Sequence, residues 1–365
     1  MKLKKQKRVI AMALTIMVLV TLVACQPTPE KPFINGNSDG DLNTPQATFS
    51  NAETPKTVTE TIQKGNLSLD IDAEVSLPDN EDFYLYPAGN FDFSSEEFQK
   101  KAVSVFFGAD NTSKVEANKK ENEGYYRYTQ KIDNGESSLT IESQKQVVSF
   151  ISYMLHSNVD TSEANKYAEN ETIDIGMVET QAIELAQNTV DGLGFEGYKP
   201  GFVGAFGKLD DHQRDFYEIV FSRNVDSTEV LNVNARYRSQ DSSPLDDKII
   251  VTIGEGGLWM LGMCVTELSQ KTDKVSVVSF EDALADFKQS GIAKLSATLS
   301  QGTKYTVTKI QLAYVYAQSE NTAQDLMLIP AWVFFCKGEE KLDNGETFTF
   351  FINIAVDGIT GKVLN

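Results

Sequence analysis

Apolar and polar residues alternate without a break over Leu67-Ser68-Leu69-Asp70-Ile71-Asp72-Ala73-Glu74-Val75-Ser76-Leu77. A period of two puts every odd side chain on one face, which predicts a half-buried strand at which folded structure begins. Asp70, Asp72 and Glu74 line the other face, where a row of carboxylates meets water and discourages further edge pairing. The period then changes: Phe98, Ala102 and Val105 share a helical face, Ser94 and Glu97 have capping-box spacing, and Gly108 suits the helix end. Strands are expected next over 124–132, 138–141 and 147–154. Asp133-Asn134-Gly135 lies between the first two, and Asn-Gly there is a strong hairpin signal. These elements make a first α+β unit over residues 63–160.

Two later stretches repeat a related order. A helical face runs through Ala182, Ile183, Leu185, Ala186 and Val190, and another through Ala283, Leu284 and Phe287. Strand patterns follow at 216–221, 231–237 and 249–253 after the first helix, and at 307–316, 331–336 and 347–356 after the second. Each stretch closes with an acidic residue beside glycine between two strands, Glu255-Gly256 and Asp357-Gly358. One helix packed on one face of an antiparallel sheet satisfies such a pattern. The expected fold class is therefore α+β, with tandem sheet-and-helix units over 175–268 and 277–365 related by duplication.

The amino-terminal pattern is of another kind. An apolar run from Val9 to Val23 follows a basic start, Lys2-Leu3-Lys4-Lys5-Gln6-Lys7-Arg8, and ends in Leu22-Val23-Ala24-Cys25. The run is shorter than the ~20 residues that span a bilayer comfortably. It resembles the signal of Gram-positive bacterial lipoproteins. The resemblance implies a signal peptide over 1–24, cleavage between Ala24 and Cys25, and a Cys25 thiol carrying diacylglycerol, with palmitate-type acyl chains in the outer face of the cytoplasmic membrane. A plain secretory signal cut elsewhere and a permanent membrane helix are the alternatives.

Residues 25–62 hold half of the prolines, Pro27, Pro29, Pro32, Pro45 and Pro55, among Asn, Thr, Ser and Gly, and read as a disordered tether. Within it, Asn35-Gly36-Asn37-Ser38-Asp39-Gly40-Asp41 has the oxygen spacing of a calcium loop. Gln46 stands where a bidentate Glu is needed and no helices flank it, so it is assigned to the tether.

Removing residues 1–24 takes the net charge from −19 to −24, because Lys2, Lys4, Lys5, Lys7 and Arg8 are lost. So acidic a chain is repelled by nucleic acid and by anionic lipid heads, which makes a covalent anchor the means of staying at a membrane. Candidate chemistry is sparse. His156 and His212 are the only histidines, so a multi-histidine metal centre is excluded, and His212 sits in a charged stretch read as a solvated turn. Cys264 and Cys336 lie in apolar strands with no CxxC partner and read as buried thiols. Phe83-Tyr84-Leu85-Tyr86 and Tyr125-Tyr126-Arg127-Tyr128 are aromatic clusters, read as strand core before ligand platform. No cofactor and no metal is expected.

The closing Val356-Asp357-Gly358-Ile359-Thr360-Gly361-Lys362-Val363-Leu364, after Ile329-Pro330-Ala331-Trp332-Val333-Phe334, resembles the end of PepSY-like domains and of related extracytoplasmic domains in membrane-anchored regulators of cell-wall-sensing kinases. That resemblance covers about 40 residues and implies a noncatalytic binding or regulatory role with an envelope protein or peptide as partner; it brings no catalytic residues. A solute receptor of a transporter and an envelope hydrolase are the other function classes. The first needs two lobes and a cleft, the second a convergent acid pair.

Overall fold

The computed structural model describes residues 49–64, 67–132, 135–152, 165–166, 173–208, 211–233, 247–298, 304–318, 326–341 and 345–364. Ala24, Cys25, the 35–41 loop and His156 lie outside the described residues. The tether expected through residue 62 gives way to ordered chain earlier. Phe49 donates its amide to the Val277 carbonyl at 2.7 Å and sets its ring edge-on to Phe83 and Trp332. Strand β1 (Thr57–Lys64) then pairs antiparallel with β2 (Leu67–Ser76), from Thr57 opposite Glu74 to Lys64 opposite Leu67. Val58 and Ile62 pack against the core there, and two apolar positions with Glu60 between them give too short an alternation to announce the strand.

Past β3 (Tyr86–Asn90) come helix α1 (Glu96–Phe107), β4 (Glu116–Lys120), β5 (Tyr125–Ile132), β6 (Gly135–Glu142), β7 (Val147–Ser152) and the short β8 (Asn165–Lys166). Helix α2 (Glu179–Gly192) leads into β9 (Tyr198–Lys208), β10 (Asp211–Val225), β11 (Thr228–Leu231), β12 (Lys248–Gly254), β13 (Gly257–Cys264) and β14 (Thr266–Leu268). Helices α3 (Phe280–Asp286) and α4 (Ile292–Thr298), joined by a π turn, precede β15 (Lys304–Gln318), β16 (Leu326–Lys341) and β17 (Thr347–Asp357).

These strands form two sheets, joined through the β10–β11 hairpin, where Asn224 pairs with Glu229 and Val225 with Thr228. The first runs β1-β2-β15-β16-β17; β11 continues the place of β2 along β15, and β3 with β14 continues the place of β17 along β16. The second runs β4-β5-β6-β7-β13-β12-β10-β9-β8, antiparallel throughout. The chain is therefore α+β, with large sheets and few helices. The unit expected over 63–160 is divided: its first strands join the sheet of the carboxy-terminal unit, while its meander joins that of the middle unit through β7 and β13. Hydrophobic periodicity reports which face of a strand is buried and is silent on which strand lies beside it.

Each sheet has its own core. Phe98, Ala102 and Phe107 of α1 and Ala182, Ala186 and Val190 of α2 cover the second sheet. Phe280, Ala283, Phe287, Ile292 and Leu295 of the α3–α4 segment cover the first. The π turn brings the Phe287 ring flat onto Phe334, centroids 4.0 Å apart, and Gly291 makes room for it, since a Cβ there would lie 2.6 Å from that ring. Asp286 closes the same corner by accepting the Val363 amide at 2.9 Å.

Several local expectations change. β2 is no edge strand but lies between β1 and β15, and Asp70 pairs with Lys304 at 3.1 Å. Ser95, not Ser94, caps α1, accepting from the Phe98 amide at 3.3 Å. His212 falls within β10 instead of a turn before it. Phe83, Tyr86, Tyr126 and Tyr128 are buried in the two cores. Cys264 and Cys336 are buried and form no disulfide, and burial pushes the Cys336 thiol up to about 12. In the closing motif, Asp357 Oδ1 accepts the amides of Ile359 (2.7 Å) and Thr360 (3.2 Å), and Gly361 takes φ +68°. Gly358 admits no side chain, because a Cβ would stand 2.7 Å from the Pro330 carbonyl oxygen that its own amide reaches at 2.8 Å.

Candidate functional site

The two sheets meet at a seam built around one carboxylate. Asp247, 1% exposed just ahead of β12, accepts the backbone amide of Thr266 at 3.1 Å, the Nε of Arg223 at 2.8 Å, and the hydroxyls of Tyr198 and Tyr316. Tyr198, Arg223 and Asp247 come from the second sheet; Tyr316 on β15 and Thr266 on β14 come from the first. Arg223 Nη2 donates to the Tyr198 hydroxyl oxygen at 2.6 Å and to the Thr266 carbonyl, with its guanidinium 4.9 Å from the Tyr198 ring centre. Burial and the Asp247 charge both raise the Tyr198 and Tyr316 hydroxyls, so both stay protonated as donors. Burial alone pulls the Arg223 guanidinium down, but the Asp247 carboxylate together with the Tyr198 and Tyr316 hydroxyls outweighs it and the net shift is upward.

A second clamp lies at the tip of the β10–β11 hairpin. Asp226 and Ser227 take φ +47° and +64°, left-handed values uncommon outside glycine, as a tight hairpin turn with right-handed strand twist requires. The tip is held by the first sheet: Asp226 accepts the Tyr86 hydroxyl at 2.5 Å and Lys271 Nζ at 3.0 Å, and those hydrogen bonds hold its carboxyl low. Beside the seam opens a groove of about 330 Å³, with Phe91, Phe195 and Leu268 as apolar lining and Arg223, Glu196 and Glu267 as charged lining. Arg223 is already committed to Asp247, so the groove offers contact and shape more than a free charge.

The third feature is the outer edge of β17. Its inner edge pairs with β16 from Asp357 opposite Ala331 to Thr347 opposite Lys341, without a register shift. On the outer side, the Ala355 carbonyl accepts from the Leu364 amide and the Asp357 amide donates to the Lys362 carbonyl, both at 2.8 Å. Backbone groups alternate sides along a strand, so Asn353, Phe351, Thr349 and Thr347 also turn theirs outward. No described strand pairs with them. No charge occurs from Thr347 to Val356, and Phe348 and Phe351 are 53% and 77% exposed. The outer strands β1 and β4 differ: the first carries Glu60 and Lys64, the second Glu116, Lys119 and Lys120.

Sequence reasoning reached β17 as a strand but not as an open edge, and it passed over Arg223 and Asp247. Ser222-Arg223-Asn224 and Asp246-Asp247-Lys248 look like ordinary solvated charge. Their only sequence signal is position at strand ends. Among the described residues no three His, Cys, Asp or Glu side chains cluster as metal ligands, and no helix is long and apolar enough to cross a membrane.

No protein-family model and no curated protein sequence matches the chain. Among solved structures, YycH from Bacillus subtilis aligns over 80% of this chain and 56% of its own, at 12% identity and a TM-score of 0.35. An uncharacterized protein from Eubacterium rectale aligns over 85% of this chain and 94% of its own, at 14% identity and a TM-score of 0.60. The chain thus shares its overall fold with that Eubacterium rectale protein, along nearly the whole length of the latter.

Proposed function

We propose that this chain is an extracytoplasmic lipoprotein, anchored by diacylglyceryl Cys25 to the outer face of the cytoplasmic membrane, that binds a protein or peptide of the cell envelope and regulates it without catalysis. The observation that carries this reading is the uncharged outer edge of β17 over Thr347–Asn353, which no described strand pairs, with its two exposed phenylalanines. Soluble proteins normally protect such an edge with charge or cover, and an unprotected one is suited to receiving another strand. The sequence resemblance to PepSY-like domains and to regulators of cell-wall-sensing kinases points the same way. Under it, residues 175–268 and 277–365 are tandem units, each placing a helix ahead of antiparallel strands.

Crosslinking of the native chain in intact cells, followed by mass spectrometry, is expected to recover one envelope kinase, protease or other protein reproducibly. Recovery of nothing above a control carrying the signal peptide alone would count against the reading. For the anchor, Cys25→Ser is expected to abolish labelling by a palmitate analogue and to release the chain from the membrane fraction; labelling and retention equal to the parent would remove Cys25 as the lipid site. A second reading, a solute-binding lipoprotein of a transporter, is favoured by the groove of about 330 Å³ between the two sheets, a size within the range of small-molecule sites. It predicts that the crosslinked partner is a transporter subunit.

A further inference from the structure

Along one side of β15 the neighbouring strand changes. β2 pairs with it as far as Gln311 opposite Ser76, and β11 takes over from Tyr314 opposite Val230. Pro78, which has no amide to donate, suits the place where the chain leaves the sheet after β2. A pocket of about 190 Å³ opens in this gap, with Ser76, Asp79, Asn224, Ser227, Glu229 and Gln311 as its polar lining and no basic side chain. Gln311 is 8% exposed. Its Nε2 donates to Glu229 Oε2 at 3.0 Å, which fixes the amide, while its Oε1 is buried and accepts from no described group. Thr228, next to Glu229 in the hairpin, also keeps a buried hydroxyl oxygen without a partner. Glu229 Oε1 accepts the Ser222 hydroxyl at 3.3 Å. Neither Glu229 nor Asp79 forms an ion pair with a described residue. The neighbouring lysines are turned elsewhere: Lys309, opposite Glu74, carries its ammonium over the Phe335 ring on the β16 side, and Lys271 holds Asp226. Lys199, opposite Ser222 on β9, forms no ion pair among the described residues.

We infer that this pocket binds a calcium ion, with the carboxylates of Asp79 and Glu229 and the amide oxygen of Gln311 as its protein ligands and water in the remaining positions. A buried amide oxygen without a donor calls for a bound water or ion, and two uncompensated carboxylates beside it select the ion. The donors are all oxygen, which suits a hard cation; an ion that needs nitrogen or sulfur finds none here. Calcium accepts irregular oxygen sets, whereas magnesium holds its waters and a strict octahedron. With only two carboxylates, the affinity belongs to the weak class that serves outside the cell. Asp79 follows β2 and Gln311 lies on β15, both of the first sheet, while Glu229 belongs to the hairpin that β10 brings from the second. The ion therefore ties the hairpin to the first sheet, beside the clamp at Asp226. The site depends neither on the β17 edge nor on the lipid anchor.

The test is calorimetric titration of calcium chloride into the detergent-solubilised full chain, with thermal unfolding at matched ionic strength beside it. The parent for both carries Asp39→Asn and Asp41→Asn, so that the 35–41 stretch contributes no acidic pair of its own. Saturable binding with a Kd of about 0.1–1 mM is expected, and magnesium should bind about tenfold more weakly or worse. The unfolding midpoint should rise with calcium, because the ion binds the folded chain alone. Glu229→Gln and Asp79→Asn should each weaken calcium about tenfold or more. Asp79 is exposed and makes no described hydrogen bond, so its variant keeps the test available if Glu229→Gln does not fold. No saturable binding by about 10 mM calcium overturns the inference. So does an affinity equal to the parent's in both variants, equal affinity for magnesium, or a midpoint that potassium chloride of the same ionic strength raises as far.

Discussion

Asp247→Ala is expected to cost about 3–5 kcal/mol of stability, read as a lowered midpoint in urea unfolding. The size follows from what is left behind. Arg223 remains largely inside the seam with its charge uncompensated, and the hydroxyls of Tyr198 and Tyr316 and the amide of Thr266 lose their common acceptor. Each buried donor left unmatched carries its own desolvation cost. A double variant, Arg223→Met with Asp247→Leu, should recover much of the loss, because removing both charges leaves no ion without a partner. If the single variant melts with the parent, the carboxylate is not what joins the two sheets.

Trp332→Ala is the second large effect, also about 3–5 kcal/mol. Trp332 is fully buried, with the rings of Phe49 at 5.8 Å and Phe280 at 5.2 Å, and its indole nitrogen donates to the Val278 carbonyl at 3.2 Å. Truncation empties the largest volume on that face and orphans the carbonyl. It also removes one of the two rings against which Phe49 rests, so limited proteolysis should cut ahead of β1 sooner than in the parent. A variant as stable and as resistant as the parent would show that the α3 segment holds the face without the indole.

Much of the local structure was legible in the sequence. The 67–77 alternation became β2, the 96–107 face became α1, and the Asp357-Gly358 turn with buried Trp332 took the places expected of them. What the pattern missed has common causes. β9 carries three glycines and a proline in Tyr-Lys-Pro-Gly-Phe-Val-Gly-Ala-Phe-Gly-Lys, so its propensity argues against the strand that its pairing to β10 enforces. The parallel pairing of β2 with β15 joins segments from opposite ends of the folded chain, and no local signal encodes it. Asp247 and Arg223 look like surface charges because burial of a charge depends on which partner arrives, and the open edge of β17 is visible only once every neighbour has been placed.

That division of the chain between sheets has a temporal side. Residues 91–264 form a continuous stretch with a core of their own, so the middle sheet can complete itself as soon as that stretch has emerged. The first sheet cannot. Leu69 and Ile71 must wait for Tyr305 and Val307, near the end of synthesis, before β2 gains its central neighbour, and until then the β1–β2 hairpin keeps one side of its ladder unfilled. Pairings so far apart in sequence are slow to close and leave the intermediate prone to sticking. For a chain that leaves the ribosome amino terminus first, the vulnerable interval begins with the first strands and ends only with the last.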